Sequence, residues 1–216
     1  MSSLLVSAGA QGNTGTTTTS AIDTTGATLL VMVCTYATSA SVSDSKSNTW
    51  TSLTAQSNTG IFNQIFYVNS ATPTVGSGHT FTLTASVSVV TAMAFNLTLA
   101  SPFDVQTGSS AASGSTIQPG SITPGSNNEI IISGVTGGNT MTTVSIDSGM
   151  TIVYQQPLTG GSNYGHGAAY KVQTTAAAIN PTWTFANGST ANISSTIASF
   201  KGSLTAATNS NFLAFM

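Results

Sequence analysis

The side chains that could act as a nucleophile or a base are few in this chain. Its histidines are His79 and His166, and its cysteine is Cys34. An activated nucleophile needs a histidine beside a hydroxyl or thiol, with a carboxylate that orients the imidazole. Serine and threonine occur throughout, so a hydroxyl near either histidine in sequence has no significance, and no Gly-x-Ser-x-Gly turn occurs. We therefore expect both histidines at the surface or at strand edges, and we predict no catalytic residue.

The carboxylates offer one further route to catalysis, because a glycosidase needs two of them about 5 to 10 Å apart. Asp44 and Asp147 occupy equivalent positions in a repeat described below, and each is followed by serine. An aspartate in a turn accepts hydrogen bonds from its own backbone two residues on, which explains both without catalysis. A hydrolase would require turnover that is abolished by mutating Asp44 or Asp147, and we do not expect it. The five carboxylates are Asp23, Asp44, Asp104, Glu129 and Asp147.

No motif indicates a metal or a cofactor. The segment Asp44–Asn48 has oxygen-bearing side chains at alternate positions, as a calcium loop does, but Lys46 and the lack of further carboxylates argue against calcium. Cysteine and histidine do not occur at zinc spacing. There is no Walker or dinucleotide-binding glycine motif. We predict neither a metal site nor a cofactor-binding site.

Aromatic and amide side chains of the kind that bind sugars fall within one stretch. Trp50 also follows a turn. The alternative is that Trp50, Tyr154 and Trp183 belong to the core, as strand aromatics usually do. A glycan therefore stays an alternative partner. The residues of the stretch are Tyr154, Gln155, Gln156, Asn163, Tyr164 and His166.

The composition excludes several classes of partner. Only eight of 216 residues are charged, and all three basic residues are lysines; a typical domain has roughly 25% charged residues. Nucleic-acid binding needs a patch of lysine and arginine, which this chain lacks. No window approaches the roughly 18 apolar residues that span a bilayer. The segment Met1–Ala8 has no positively charged region, so we do not expect it to be a secretory signal. We favour synthesis in a cytoplasm over the alternative that a signal has been removed.

The pattern along the chain predicts an all-β fold. Thr80–Ala85 and Thr182–Phe185 alternate apolar residues with threonine, as half-buried strands do. The continuous apolar runs Leu29–Val33 and Ile130–Ile132 predict central strands that are covered on both faces or lie at a sheet centre. Cys34 extends the first run and is predicted to be a small buried hydrophobe. With 38 Thr and 32 Ser in the chain, we expect the outer strand faces to carry hydroxyl groups.

An internal repeat of about a hundred residues organises the chain. Five blocks recur in the same order, at offsets that drift only from 101 to 105. We predict one β-sandwich over residues 1–202, made of repeats 3–100 and 103–202 with a pseudo-twofold. The alternative is two small sandwiches split near residues 100–120. The blocks are Thr25–Val31 with Ser126–Ile132, Val42–Ser45 with Val144–Ser148, Phe66–Val68 with Ala169–Val172, His79–Leu83 with Pro181–Phe185, and Thr91–Phe95 with Thr196–Phe200.

The ends of the sheets and the C-terminus indicate contact with other molecules. Sheet edges are usually protected by lysines or inward charges, and this chain has three lysines. Residues 203–216 lie outside the repeat and end in the apolar run Phe212–Met216, which would be an exposed patch in a monomer. We predict that this tail docks on its own chain or on another, and that the protein forms a homo-oligomer.

Three segments carry a resemblance to known proteins: Ala27–Val33, Val42–Trp50 and Phe66–Asn69. They resemble the concanavalin-like or jelly-roll β-sandwich proteins of bacteriophage virions, which also occur among bacterial surface proteins. Ser101–Val105 and Ile197–Lys201 fit the same pattern, so that the resemblance covers roughly residues 3–202.

The resemblance implies a structural, non-enzymatic role, with no catalytic residues to transfer. It implies a capsid decoration (cement) protein, with a head fibre or tail component as alternatives. The implied partners are the major capsid protein or other virion proteins, and the implied location is a virion assembled in the host cytoplasm. The competing hypothesis is a secreted or cell-surface carbohydrate-binding or adhesin module.

Overall fold

The computed structural model describes residues 3–13, 15–69, 72–97, 102–138, 141–158 and 164–202. Every regular element in this part of the chain is a β-strand, and all strand pairs are antiparallel. The all-β prediction is therefore confirmed. The strands are β1 Ser3–Gly12, β2 Thr16–Thr18, β3 Leu29–Ala37, β4 Ser41–Asp44, β5 Trp50–Ser52, β6 Gln56–Asn58, β7 Ile61–Val68, β8 Phe81–Thr84, β9 Ser88–Asn96, β10 Phe103–Gly114, β11 Thr116–Ile117, β12 Glu129–Gly138, β13 Val144–Ile146, β14 Thr151–Gln156, β15 Gly165–Gln173, β16 Trp183–Phe185 and β17 Thr190–Phe200.

The strands form two large and two small sheets. The first large sheet has the order β1-β9-β3-β7-β5, with β6 also paired to β7, and the first small sheet has the order β2-β8-β4. The second large sheet has the order β10-β17-β12-β15-β14, and the second small sheet has the order β11-β16-β13. Strands in corresponding positions of the two large sheets occur in the same succession along the chain.

Three clusters of buried side chains show how the sheets are layered. A central cluster joins Leu29 and Val31 of β3 to Ile130 and Ile132 of β12, so it lies between the two large sheets. A second cluster lies between the first large and first small sheets, and a third lies between the second large and second small sheets. The resulting order is small sheet, large sheet, large sheet, small sheet.

This layering explains the continuous apolar runs. Successive side chains of a strand point to opposite faces. Leu29 and Val31 enter the central cluster, while Leu30 and Met32 enter the cluster under the first small sheet. Both faces of β3 are covered, which confirms the prediction of central strands. Cys34 is fully buried as predicted, and its burial raises the pKa of the thiol.

The end of the central layer away from the apolar cluster is polar, and hydrogen bonds cross it between the large sheets. His166 of β15 lies 2.8 Å through Nδ1 from Thr35 Oγ1 and 2.9 Å through Nε2 from Thr91 Oγ1. The first large sheet makes a corresponding bond to the second: Thr196 Oγ1 of β17 donates to Asn63 Oδ1 of β7 at 2.6 Å. The two large sheets are therefore fixed in register by directional bonds as well as by apolar packing.

Two glycines let the large sheets approach each other closely. Gly9 of β1 lies opposite Thr91, and Gly108 of β10 lies opposite Thr196. A Cβ at Gly9 would meet the ring of Tyr154, and one at Gly108 would meet the side chain of Gln56. Each glycine thus receives a side chain from the opposite half of the chain.

The tail prediction for residues 203–216 lies outside the described residues. No helix in the described part of the chain could cross a bilayer.

Candidate functional site

The described part of the chain brings one histidine, one carboxylate and one hydroxyl into line. Asp44 ends β4, and its pairing opposite Phe81 of β8 turns its side chain inward. His79 precedes β8 and is held there by backbone hydrogen bonds in both directions with Ile22. Thr24 lies in the turn before β3. These residues meet under the first small sheet, and we call Thr24, Asp44, Trp50 and His79 the buried polar cluster.

The geometry of this cluster has the order of a nucleophile, a base and an orienting acid. Thr24 Oγ1 lies 2.8 Å from His79 Nδ1. His79 Nε2 lies 3.2 Å from Asp44 Oδ1, a close contact that lacks hydrogen-bond geometry. The indole Nε1 of Trp50 donates to Asp44 Oδ2 at 2.7 Å. A hydroxyl, an imidazole and a carboxylate in this order perform acyl transfer when a substrate can reach the hydroxyl.

A substrate cannot reach this hydroxyl. Thr24 and His79 are fully buried, and so is the side chain of Asp44. The Thr24 hydroxyl also bonds the backbone of Gly76, and the His79 ring stacks on Phe81 at 4.2 Å between centroids. Burial lowers the pKa of His79, although the neighbouring Asp44 partly offsets this. The cluster is a closed, neutral-histidine network that fixes three loops around the first small sheet.

Burial of both histidines contradicts the expectation that they lie at the surface or at strand edges. His166 is also fully buried, between the large sheets. The expectation failed because a histidine can be buried when its ring nitrogens find polar partners: both nitrogens of His166 face threonine hydroxyls, and His79 has one hydroxyl and the carboxylate of Asp44. The threonine partners lie far away in sequence: Thr24 is 55 residues from His79, and Thr35 is 131 residues from His166.

The segment Asp44–Asn48 uses its carboxylate to hold its own loop. Asp44 Oδ1 accepts from the backbone N–H of Lys46 at 2.7 Å and from Asn48 Nδ2 at 3.2 Å. Asn48 then bonds the backbone of Thr74 in both directions. N–H donors thus occupy the lone pairs that calcium would need. In the described residues no three of His, Cys, Asp and Glu lie close enough together to hold a metal ion.

Asp44 and Asp147 are not equivalent in the ladder. Asp44 lies opposite Phe81, whereas Ile146 occupies the corresponding place opposite Trp183. Asp147 is therefore one position further along, on the exposed face, where its Oδ1 accepts from Thr182 N at 2.7 Å. A shift of one residue reverses the face of a strand residue. The prediction that Asp44 and Asp147 occupy equivalent positions is therefore wrong.

The second half of the chain fills the corresponding space with apolar side chains. Thr51 pairs with Tyr67, and Thr151 pairs with Tyr170 at the matching position of the second half. Met150 therefore occupies the place of Trp50, and Ile146 occupies the place of Asp44. Ile179 makes the isolated bridge to Ile122 that His79 makes to Ile22. Ile122, Met150 and Ile179 belong to one apolar cluster, and Ile146 packs against it. The polar cluster is therefore particular to the first half and is not needed for this arrangement of strands.

The residues proposed for sugar binding do not form one exposed face. His166 is buried, and Tyr154 is half-buried over Gly9. Gln155 Oε1 accepts from Val144 N at 2.9 Å, and Gln156 Oε1 accepts from the Tyr154 hydroxyl at 3.2 Å. Tyr164 is half-buried at the start of β15, and Asn163 lies outside the described residues. Trp50 is half-buried, and Trp183 is fully buried, where its Nε1 donates to Ser133 Oγ at 2.9 Å.

The outer face of the first small sheet is an uncharged array of hydroxyls. Its alternate residues are all serine or threonine, and the hydroxyls of Thr18 and Thr82 lie 3.0 Å apart. The second small sheet has one such row, formed by Thr116, Thr184 and Ser145. The rows of the first small sheet are Thr16 with Thr84 and Ser41, and Thr18 with Thr82 and Ser43.

Comparison with known proteins adds no further evidence. No protein-family model, no curated protein and no solved structure matches this chain.

Proposed function

We propose that this protein is a non-enzymatic structural component of a bacteriophage virion, namely a capsid decoration protein that packs as an oligomer on the head. The observation that carries the packing role is the pair of long edge strands. Within the described residues, β1 and β10 each pair with one strand. β1 contains no charged residue and no proline that would discourage another strand from pairing, whereas β10 carries one charged residue, Asp104, near its start. Leu5 of β1 is the exposed large hydrophobic residue of the described chain, at 43% exposure.

The buried polar cluster supports the non-enzymatic part of the proposal. Within the described residues, this cluster places a hydroxyl, a histidine and a carboxylate in the order that nucleophilic catalysis uses, and its hydroxyl is closed to solvent. The scarcity of charge supports a protein that functions among neighbouring molecules, because surface charge keeps proteins apart in solution. The partner in this proposal is the major capsid protein or another virion protein, and assembly takes place in the host cytoplasm.

The finer description of the fold belongs to the same proposal. We infer a jelly-roll-like β-sandwich built from two copies of one unit, each with one large and one small sheet. The matching strand order supports duplication, and the hydrogen bonds of His166 and Asn63 in opposite directions support a pseudo-twofold through the central layer. Because the central cluster draws residues from both copies, residues 1–202 then act as one domain.

The first experiment is identification of the chain in purified particles by mass spectrometry. The proposal requires a constant copy number per particle after density-gradient purification. Absence from intact particles would refute it.

The second experiment tests the edge strand. Leu5→Lys places a charge on β1, so we expect loss of both self-association and particle binding, measured by light scattering and co-sedimentation. Thr84→Lys adds the same charge to the exposed hydroxyl face and serves as the matched control, which should bind as the parent does. Equal behaviour of the two variants would remove β1 from the interface.

The alternative function is carbohydrate binding at a cell surface, and the uncharged hydroxyl faces of the small sheets favour it. Neutral hydroxyl arrays suit neutral polysaccharides, which present hydroxyl groups of their own. Binding on a glycan array that is lost on Thr82→Lys, which changes a hydroxyl row of the first small sheet, would support this alternative over the virion proposal.

A further inference from the structure

Three ionisable side chains lie side by side at one end of the second large sheet. β17 runs between β10 and β12. Asp104 is the second residue of β10, Glu129 is the first residue of β12, and Lys201 directly follows β17. Ile130 lies opposite Phe200, so the next pair along the ladder sets Glu129 beside Lys201. The three strands thus carry a lysine between two carboxyl groups.

The amine and the carboxyl group of Asp104 are in contact. Lys201 Nζ lies 3.2 Å from Asp104 Oδ1, and the Asp104 side chain is only 15% exposed. The other oxygen, Oδ2, accepts from the backbone N–H of Gly125 at 2.7 Å, which fixes the carboxyl plane. The backbone N–H of Lys201 donates to Pro102 O at 2.6 Å, which fixes the base of the lysine side chain. Both groups are therefore held in place by contacts outside the pair.

Glu129 is fully buried, and half of its carboxyl group has no structural partner. Oε1 accepts from the backbone N–H and the hydroxyl of Ser126, each at 2.8 Å, and this anchors the turn before β12. Oε2 is buried and receives no hydrogen bond from an N–H or hydroxyl group of the described residues. Glu129 is the neighbour of Lys201 across the β12–β17 ladder, so this unpartnered oxygen belongs to the residue beside the ion pair.

A salt bridge alone does not account for this arrangement. An ion pair between Asp104 and a lysine that is 39% exposed needs no third, buried acid beside it. Desolvation raises the pKa of Asp104, but the N–H of Gly125 and the ammonium of Lys201 outweigh it, and the pKa lies below its usual range. The ion pair is thus the starting state, and it leaves unexplained why the unpartnered Oε2 of Glu129 is buried beside it.

We propose that Lys201 and Asp104 condense spontaneously into an amide cross-link, with Glu129 as the acid–base residue. The Nζ ammonium gives a proton to the carboxyl pair, and the neutral amine attacks Cγ of Asp104. Glu129 takes the second proton from the attacking nitrogen and delivers it to the departing oxygen of Asp104, which leaves as water. One N–C bond forms and one C–O bond breaks. Ammonium and carboxylate give amide and one water, so that no oxidant, metal or other reactant is needed.

Preorganisation makes this condensation feasible without an external catalyst. Holding the amine against the carboxyl group replaces a bimolecular encounter with an intramolecular step. The entropic cost of bringing the two groups together is then already met by folding. The bond would close residues 104–201 into a covalent ring and tie the edge strand β10 to the end of β17. The first half has no counterpart, because Thr28 and Asn96 stand where Glu129 and Lys201 stand. This inference does not rest on the proposed function.

The test is the intact mass of the purified, denatured full chain. We expect one water less than the mass of the sequence, and a chymotryptic map in which one branched fragment contains both Asp104 and Lys201. Lys201→Arg keeps the charge and the ion pair, but guanidinium is not a nucleophile, so this variant should have the full mass. Lys171→Arg changes a lysine whose Nζ donates to Ser148 O; as the matched control, it should still lose water.

The role of Glu129 is tested by Glu129→Gln, which we expect to slow the water loss by at least about tenfold when freshly made protein is sampled over time. Tryptophan emission of each variant checks that it is folded. A parent chain at full mass would overturn the proposal. So would a loss of water that persists in Lys201→Arg, because the dehydration would then lie elsewhere in the chain.

Discussion

His166 shows how one buried side chain can make the stability of the whole chain depend on pH. Burial between the large sheets lowers its pKa from 6.5 to about 3, so the ring is neutral in the folded state. The unfolded chain binds a proton to His166 below about pH 6.5 while the folded chain does not, and stability falls as pH decreases through that window. We expect a loss of about 2 to 3 kcal/mol between pH 6.5 and about 4.5, measured by urea unfolding at each pH.

His166→Asn isolates this effect, because Asn63 makes the corresponding hydrogen bond from the other half with an amide that does not titrate. The variant should lose most of the slope above about pH 4.5. The remaining slope belongs to His79, whose pKa is also lowered by burial. An unchanged slope in His166→Asn would show that His166 is not the titrating group.

At the scale of the strand, the face on which a residue lies decides what the same residue type does. Asp44 points inward, where it holds the indole of Trp50 and the loop of Lys46. Asp147 points outward, where solvent can replace its partners.

Removing a buried acceptor leaves its donors unpaired, at roughly 1–3 kcal/mol each. We expect Asp44→Ala to lower the free energy of unfolding by about 3 kcal/mol and Asp147→Ala, its matched control, by less than about 0.5 kcal/mol. Equal losses in urea unfolding would contradict the register.

Asp44 and Asp147 also show which features of the fold the sequence could predict and which it could not. Alternation and apolar runs depend on neighbouring residues, and so Leu29–Val33 could be recognised as a covered central strand. The inward position of Asp44 depends on which residue of β8 it pairs with, and pairing is set by packing across the sheet. The partners of His79 and Lys201 lie on distant segments, at Thr24 and Asp104. No local pattern records those contacts, which is why the sequence predicted no site there.

At the scale of the whole molecule, the central layer determines whether the two halves unfold together. It takes residues from both large sheets, and neither half has another surface on which to bury Leu29 or Ile130. Exposing that layer on one half removes apolar contacts from the other, so we expect one cooperative transition rather than two.

The chain contains a reporter for each half, because Trp50 lies beside the first small sheet and Trp183 lies under the second. Trp183→Phe leaves fluorescence from the first half alone, and Trp50→Phe leaves it from the second. In each variant, the tryptophan signal and far-ultraviolet circular dichroism should give the same urea midpoint, because a shared core forces both probes to report one event. A tryptophan midpoint that departs from the circular dichroism midpoint of the same variant would show that the halves unfold separately. The central layer would then be an interface between two domains, as the alternative split near residues 100–120 predicts.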